Sequence, residues 1–391
     1  MEKRWLDILL RSVSYILVAA VASAATLVLY TGGNLQRSRK LEELSALIQE
    51  VFIGEADPAA MEDGAAEGMI AALGDRWSYY IPASEYESYM EQMNNSYVGI
   101  GVTITVREDG LGFDIKQVEP GGPAREAGLL PGDVIVAVEG ENAFAMGTDG
   151  ARAKIRGEIG TDVNITILRD GKEQEFTLTR KSIRVQVAAG QLLEKGIGYV
   201  AINNFDSRCA SETIAAVESL IEQGATALIF DVRNNPGGYK SELVDLLNYL
   251  LPEGDLFRSL SYDGRSSVDT SDEKCLELPM AVLINGNSYS AAEFFAAALE
   301  EYDWAVTVGE PTTGKGYFQS TFQLSDGSAA AISIGKYFTP KGISLAEVGG
   351  LVPQIVLEVD DETEALIYGD LLEPAEDPQI QAAVAALSKS N

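Results

Sequence analysis

Ala227-Leu228-Ile229-Phe230-Asp231-Val232, continuing into Arg233-Asn234-Asn235-Pro236-Gly237-Gly238, reads as a buried strand that empties into a glycine turn. The run is short, continuously apolar up to Asp231 and rich in large aliphatic and aromatic residues, as expected of a strand covered on both faces. Before it, Gly198-Tyr199-Val200-Ala201-Ile202 is another strand candidate, and Ser211 to Gln223 carries helical periodicity. After it, a helix is predicted from near Ser241. A second buried strand, Met280-Ala281-Val282-Leu283-Ile284, then runs through Asn285-Gly286-Asn287-Ser288-Tyr289-Ser290 into a helix over Ala291 to Glu301. Strands and helices alternate from Ile183 onward, so this half of the chain is α/β.

The chain has 391 residues, 46% of them apolar, enough to bury a large core divided over two or three domains. Lysine and arginine total 29 against 59 acidic residues, a balance that argues against nucleic acid as the partner. Cys209 and Cys275 form no CxxC pair, so a disulfide framework is excluded, and no histidine is present to complete a zinc site. One disulfide between the two and two buried free thiols both fit; the second is the expectation taken. No metal and no cofactor are called for.

Ser12 to Gly33 contains no charge, and Val13 to Tyr30 is almost entirely apolar, close to the length of one membrane-crossing helix. Lys3, Arg4 and Arg11 precede it, while Arg37, Arg39 and Lys40 follow. The N-terminus-in orientation therefore rests on analogy with signal sequences more than on charge bias. Ala22-Ser23-Ala24 offers a cleavage site, yet the apolar run continues through Leu27, Val28 and Leu29, which favours an uncleaved anchor. Leu41 to Met93 reads mostly helical, with Leu41, Leu44, Leu47, Ile48 and Val51 and then Met61, Ala65, Met69 and Leu73 at helical spacing, expected to face a core.

Gly99-Ile100-Gly101-Val102 leads into the β-patterned Val102 to Val106, and successive backbone N–H groups in such a loop can hold a terminal carboxylate. The continuation from Pro120-Gly121-Gly122-Pro123 through Leu130-Pro131-Gly132-Asp133 to Gly140 resembles the PDZ signature, and the likeness extends to about Thr179. PDZ domains add a peptide end as an extra strand, so Gly99, Ile100, Gly101 and Val102 would form the carboxylate loop and Val102 to Val106 the docking strand.

The chemistry is narrowed by an absence: none of the residues is histidine, so a serine nucleophile needs another base. Ser290 is placed at the start of a helix, where free N–H groups favour developing negative charge, and Ser288 offers a second hydroxyl; a capping role is open to either. Gly309-Glu310-Pro311-Thr312-Thr313-Gly314-Lys315 satisfies most of a P-loop, but Gly316 replaces the required hydroxyl residue and Tyr317 to Leu324 alternates like a strand. Nucleotide binding is discarded, and with imidazole absent attention turns to lysine as a base. A lysine ordinarily titrates near 10.4; to act near neutral pH its site must hold it about three pH units lower, about 4 kcal/mol.

With the PDZ segment, Asp231 to Gly238, Asn285 to Glu293, Gly314 to Gln319 and Tyr337-Phe338-Thr339-Pro340-Lys341-Gly342-Ile343-Ser344, the chain from about residue 41 to 358 resembles the carboxy-terminal processing proteases of serine peptidase family S41. The resemblance implies an α/β, ClpP- or crotonase-like protease core with an inserted PDZ domain and an N-terminal transmembrane helix. It implies Ser290 as nucleophile, Lys315 as base and Gln319 orienting the lysine, with the Gly238 and Ala291 N–H groups as the oxyanion hole. The segments implied are a cytoplasmic tail (1–11), a signal anchor (12–33), a helical assembly segment (41–95), the PDZ domain (96–182), the protease core (183–358) and a C-terminal helical appendage (359–391). Substrates would be proteins or peptides with free apolar C-termini. The chain would be a homodimer, and its catalytic body would lie outside the cytoplasm in a bacterial envelope. Two departures stand out: the bulky Tyr289 precedes the nucleophile, and Gln354 replaces the acidic residue after a proline. An anchored PDZ scaffold with an inert protease-like half, and a non-peptidase acyl-transfer enzyme, are the competing classes; the Ser290, Lys315 and Gln319 set speaks against the first and the PDZ segment against the second.

Overall fold

The computed structural model describes residues 35–107, 109–369 and 372–388, together with Val18 and Val21. The expected membrane anchor at 12–33 lies outside these residues except for those two valines. Among the described residues no helix is long and apolar enough to cross a membrane. The chain forms two units, divided between Tyr80 and Ile81.

The first unit contains helices α1 (Leu35–Val51) and α2 (Pro58–Ala71), the latter started by Pro58 and capped by Asp57, whose Oδ1 accepts from Ala59 N at 2.9 Å. The helical period was legible, but the expectation that its apolar residues face a core is corrected: Leu44, Leu47, Val51 and Met69 are 50–67% exposed. Two helices of this length have too little neighbouring surface to cover such a stripe. A three-residue strand, β1 (Tyr79–Ile81), leads into the second unit.

There, helix α3 (Ala83–Met93) is followed by β2 (Ser96–Gly99) and by the PDZ region: β3 (Val102–Val106), β4 (Phe113–Val118), α4 (Pro123–Glu126), β5 (Val134–Val138), β6 (Glu141–Asn142), α5 (Ala143–Ile155), β7 (Asp162–Arg169) and β8 (Lys172–Thr179). Its sheet runs β3-β4-β5-β7-β8, which leaves β3 as an edge. Its core gathers Ile100, Phe113, Ile115, Leu129, Ile135, Ile165 and Ile167 and is separate from the remaining cores. β9 (Lys181–Arg184) returns antiparallel to β2, with Gly99 opposite Lys181.

The α/β portion comprises β10 (Ala188–Leu193), β11 (Ile197–Ile202), α6 (Cys209–Glu222), β12 (Ala227–Asp231), α7 (Lys240–Leu250), β13 (Gly254–Ser261), β14 (Ser266–Ser271), β15 (Met280–Ile284), α8 (Ala291–Glu301), β16 (Ala305–Gly309), β17 (Tyr317–Gln323), β18 (Ala329–Phe338), α9 (Leu345–Val348), β19 (Ile355–Val356), α10 (Asp361–Tyr368) and α11 (Pro378–Leu387). The main sheet has the order β10-β11-β12-β15-β16-β19, parallel from β11 onward. Each parallel strand lies beside its predecessor in the same direction along the sheet, so right-handed crossovers bring α6, α7 and α8 to one face. Leu228, Phe230, Val282 and Ile284 pack there with Leu220, Leu246 and Phe295. The alternate residues Ala227, Ile229, Ala281 and Leu283 point to the opposite face, where Ile380, Ala383, Val384 and Leu387 of α11 cover them. The C-terminal helix is thus a layer of this core.

A second sheet has β18 between β17 and β13, with β14 beyond β13. Both cysteines are free, Cys209 buried and Cys275 only half-buried.

Candidate active site

Three loops leave the C-terminal ends of the neighbouring strands β12, β15 and β16, the end at which open parallel sheets gather their functional groups. The turn after β15 carries both candidate serines, and their surroundings differ. Ser288 is fully buried; its hydroxyl donates to Val232 O at 2.7 Å and accepts from Asn285 N at 3.0 Å. Ser290 is half-buried at the start of α8, in a left-handed backbone conformation with φ +59°. A serine held there is strained, and the strain is opposed by neighbouring bonds: Tyr289 N donates to Asn235 O at 3.2 Å, while Asn285 Oδ1 accepts from Asn234 N at 2.9 Å. The result is a half-buried serine on a sharp strand-to-helix turn, with the first helical amides beside it.

The glycine turn after β12 backs onto this hydroxyl. A Cβ on Gly237 would lie 2.7 Å from both Ala291 N and Ser290 Cβ, and one on Gly238 would lie 2.2 Å from Phe205 O. Both positions also have positive φ, so only glycine fits. The Gly237 N–H is engaged by Asn235 Oδ1 at 2.8 Å. Among the described residues the Gly238 N–H has no hydrogen-bond partner, and Ala291 N, at the first position of α8, has no intrahelical acceptor. These are the two amides expected to face an oxyanion.

Lys315 lies half-buried in the loop after β16, its Nζ 5.8 Å from the centre of the Tyr289 ring. Its loop is fastened to the serine turn by Glu293, three residues into the helix that follows Ser290. Glu293 is fully buried, and its carboxylate accepts from Ser290 N at 3.0 Å, Lys315 N at 2.7 Å, Gly314 N at 2.9 Å and Thr312 Oγ1 at 2.8 Å. Burial pushes this carboxyl above its usual range, and the four donors pull against the rise. Thr313 N adds a bond to Ser288 O at 3.2 Å.

Gln319 sits on β17 beside a bulge in the β17–β18 ladder, and its Nε2 donates to Tyr317 O at 3.1 Å and to Ser333 Oγ at 3.2 Å. These bonds hold the side chain by its nitrogen; an orienting bond to Lys315 would use its oxygen, Oε1, as acceptor. A residue given no role in the sequence reading does touch the nucleophile: the Tyr337 hydroxyl donates to Ser290 Oγ at 3.1 Å. Its motif was visible, but a partner 47 positions away is fixed only by the packing of β18 against α8.

In the PDZ region, Gly99 closes β2 and Ile100 is buried with its carbonyl accepting from Ala124 N at 2.8 Å. Gly101 has φ +78° and Val102 opens the edge strand β3. Ile100 therefore has only its backbone N–H to offer a ligand, beside an edge where a strand can be added.

Residues 196–357 match the sequence model of peptidase family S41, and residues 115–169 match that of a PDZ domain. A carboxyl-terminal-processing protease of Synechocystis sp. is 33% identical over 331 residues, covering 83% of this chain and 76% of the relative. The carboxy-terminal processing protease CtpA of Bacillus subtilis is 31% identical over 359 residues, covering 88% of this chain and 76% of the relative. A putative S41 protease from Bacteroides fragilis shares the fold, with a TM-score of 0.55, 16% identity and coverage of 89% of this chain and 97% of that one. On these matches, the chain belongs to peptidase family S41.

Proposed function

We propose that the protein is a serine endopeptidase with a Ser290–Lys315 dyad that cleaves proteins presented by their C-termini. The observation that carries this reading is the Glu293 carboxylate, which bonds the backbone of both Ser290 and Lys315 and so fixes the two loops together. Neutral Lys315 takes the proton of Ser290 Oγ as that oxygen attacks the scissile carbonyl. The Gly238 and Ala291 amides receive the charge that develops on the carbonyl oxygen. The proton passes to the departing amine, and water then hydrolyses the acyl-enzyme. Gln319 lines the lysine's side of the site through its bonds to β17 and β18.

The PDZ domain presents the substrate: its edge strand β3 takes up an apolar C-terminal segment, and the 99–102 amides hold the carboxylate. Segment 12–33 anchors the chain with its body outside the cytoplasm, and the exposed apolar stripe of α1 supports a homodimer.

The test is digestion of an unfolded protein with an apolar C-terminus by the full chain, beside Ser290→Ala and Lys315→Ala. Loss of cleavage in both variants by at least about a thousandfold is expected. Three proteins that behave alike would move the assignment to a PDZ scaffold.

A further inference from the structure

The oxygen that attacks the substrate in this reading already has a fixed hydrogen-bond donor. The Tyr337 hydroxyl reaches Ser290 Oγ at 3.1 Å, and the tyrosine is 4% exposed. Its ring meets Phe294 edge-on at 4.4 Å between centroids, with Phe257 at 5.4 Å and Phe318 at 6.2 Å on other sides. The backbone is held as well, Tyr337 N donating to Gly316 O at 3.1 Å on the lysine loop. Ring and backbone are thus both immobilised, and the hydroxyl is aimed at one atom. Burial pushes the phenol above its ordinary range, so it stays protonated wherever a lysine base is active.

Resting on the serine–lysine reading, we propose that Tyr337 is a further catalytic residue whose hydroxyl stabilises negative charge on Ser290 Oγ, above all when that oxygen is the leaving group of the acyl-enzyme. In acylation a donor on Oγ has opposed effects, since it favours removal of the serine proton but occupies a lone pair of the attacking atom. In deacylation Oγ is no longer the attacking atom, and only the favourable effect remains. Water adds to the ester carbonyl carbon and gives its proton to Lys315 Nζ. The carbon–Oγ bond then breaks with its electron pair passing to Oγ, where the Tyr337 O–H bond is already directed. Lys315 returns the proton to Oγ and the carboxylic acid product leaves. Tyr337 keeps its own proton throughout. An immobile donor already directed at a developing charge is the arrangement that lowers such a barrier most.

The experiment uses the full chain with the p-nitrophenyl ester of a short N-acylated apolar peptide, comparing wild type, Tyr337→Phe and Ser290→Ala. Stopped-flow absorbance gives nitrophenol release, and intact mass gives the acyl adduct. Tyr337→Phe keeps the ring and its aromatic neighbours. It is expected to release about one nitrophenol per site in a burst and then to turn over at least about tenfold more slowly than wild type, with the acyl adduct accumulating. Turnover within twofold of wild type overturns the proposal. So does loss of the burst in a variant that melts like wild type, because Tyr337 would then align the serine without assisting its departure. Should Tyr337→Phe melt early, Tyr337→3-fluorotyrosine keeps the shape and strengthens the donor; deacylation at least as fast as wild type supports the proposal and slower deacylation overturns it. Ser290→Ala that still turns over the ester refutes the serine reading itself. An inert Ser290→Ala beside a normal Tyr337→Phe refutes the tyrosine alone.

Discussion

Glu293 shows how one buried charge organises the site. Four donors from two loops converge on a carboxylate with no solvent exposure, and replacement by glutamine leaves an oxygen for two of them and turns an NH2 group toward the others. We expect Glu293→Gln to cost about 1–3 kcal/mol in urea unfolding and to lower kcat more than it raises KM. The pH dependence has a defined sign. Because the folded-state value of Glu293 lies above that of the unfolded chain, the native protein binds its proton first as pH falls. Its contribution to stability is therefore greatest below the ordinary glutamate range and is lost as pH rises through the raised value. Mild acid should weaken the clamp and activity while this group makes no demand for unfolding. Parallel pH series of kcat/KM and thermal midpoint check it: wild type minus Glu293→Gln should show the midpoint difference rising toward acid, and a difference that falls there contradicts the assignment. At this scale the serine turn, the lysine loop and the glycine turn were legible as motifs, while the choice of Ser290 and Lys315 came from the family resemblance, since a serine at a helix start serves equally as a cap. The Glu293 clamp and the Tyr337 contact were not legible, since a glutamate one turn into a helix and a tyrosine in a strand are ordinary in sequence. Only tertiary packing gives them their partners.

Among the elements, the buried strands were the easiest to read. A strand covered on both faces is apolar at every position, and the expected Met280 to Ile284 coincides with β15. The helical stripe of α1 has the same periodicity whether it faces a core or nothing, so its exposure was invisible to a periodicity argument. The C-terminal helix reads as an assembly or packing appendage for a related reason: what it packs on appears only once the monotonic strand order leaves one sheet face bare for α11 to cover. Asp377 secures it twice. Its Oδ1 caps the helix, accepting from Gln379 N at 2.8 Å, and its Oδ2 meets Arg233 at 2.8 Å, where the arginine side chain is 4% exposed. Arg233 also pairs with Asp231 at 2.6 Å and stands in the loop leading from β12 to Gly237 and Gly238. The C-terminal helix therefore holds the root of the glycine turn. Asp377→Ala removes both the cap and one partner of a buried charge and should cost about 2–4 kcal/mol, with Asp377→Asn, which keeps the cap, costing less. Urea unfolding measures both; an Asp377→Ala cost below about 0.5 kcal/mol would make the segment a detachable appendage after all.

For the molecule as a whole, the question is what the PDZ domain contributes to proteolysis, and the chain path makes it answerable. The domain leaves and re-enters through adjacent strands: β2 and β9 are paired from Ser96 opposite Arg184 to Gly99 opposite Lys181, and Val185 N continues the ladder to Asn95 O at 3.0 Å. Its core is separate from the cores of the α/β portion. Replacing residues 100–180 with a two-residue Asn-Gly turn would close β2 and β9 into a hairpin without opening the protease core. If the domain recruits substrate, the excised variant should keep its kcat on a small peptide ester. Its KM for an unfolded protein with a free apolar C-terminus should rise at least about tenfold, equivalent to about 1.4 kcal/mol of lost binding. Amidation of that C-terminus should weaken cleavage by the intact chain and make no difference to the excised one. If the domain instead holds the site closed, the excised variant should cleave small esters faster than the intact chain, and the amidation effect should be absent from both. Recruitment is the outcome expected, because β3 is an open sheet edge next to the 99–102 amides, and an edge of this kind gains its hydrogen bonds from an added strand. An unchanged KM for the protein substrate after excision would remove that role, whatever happened to the ester.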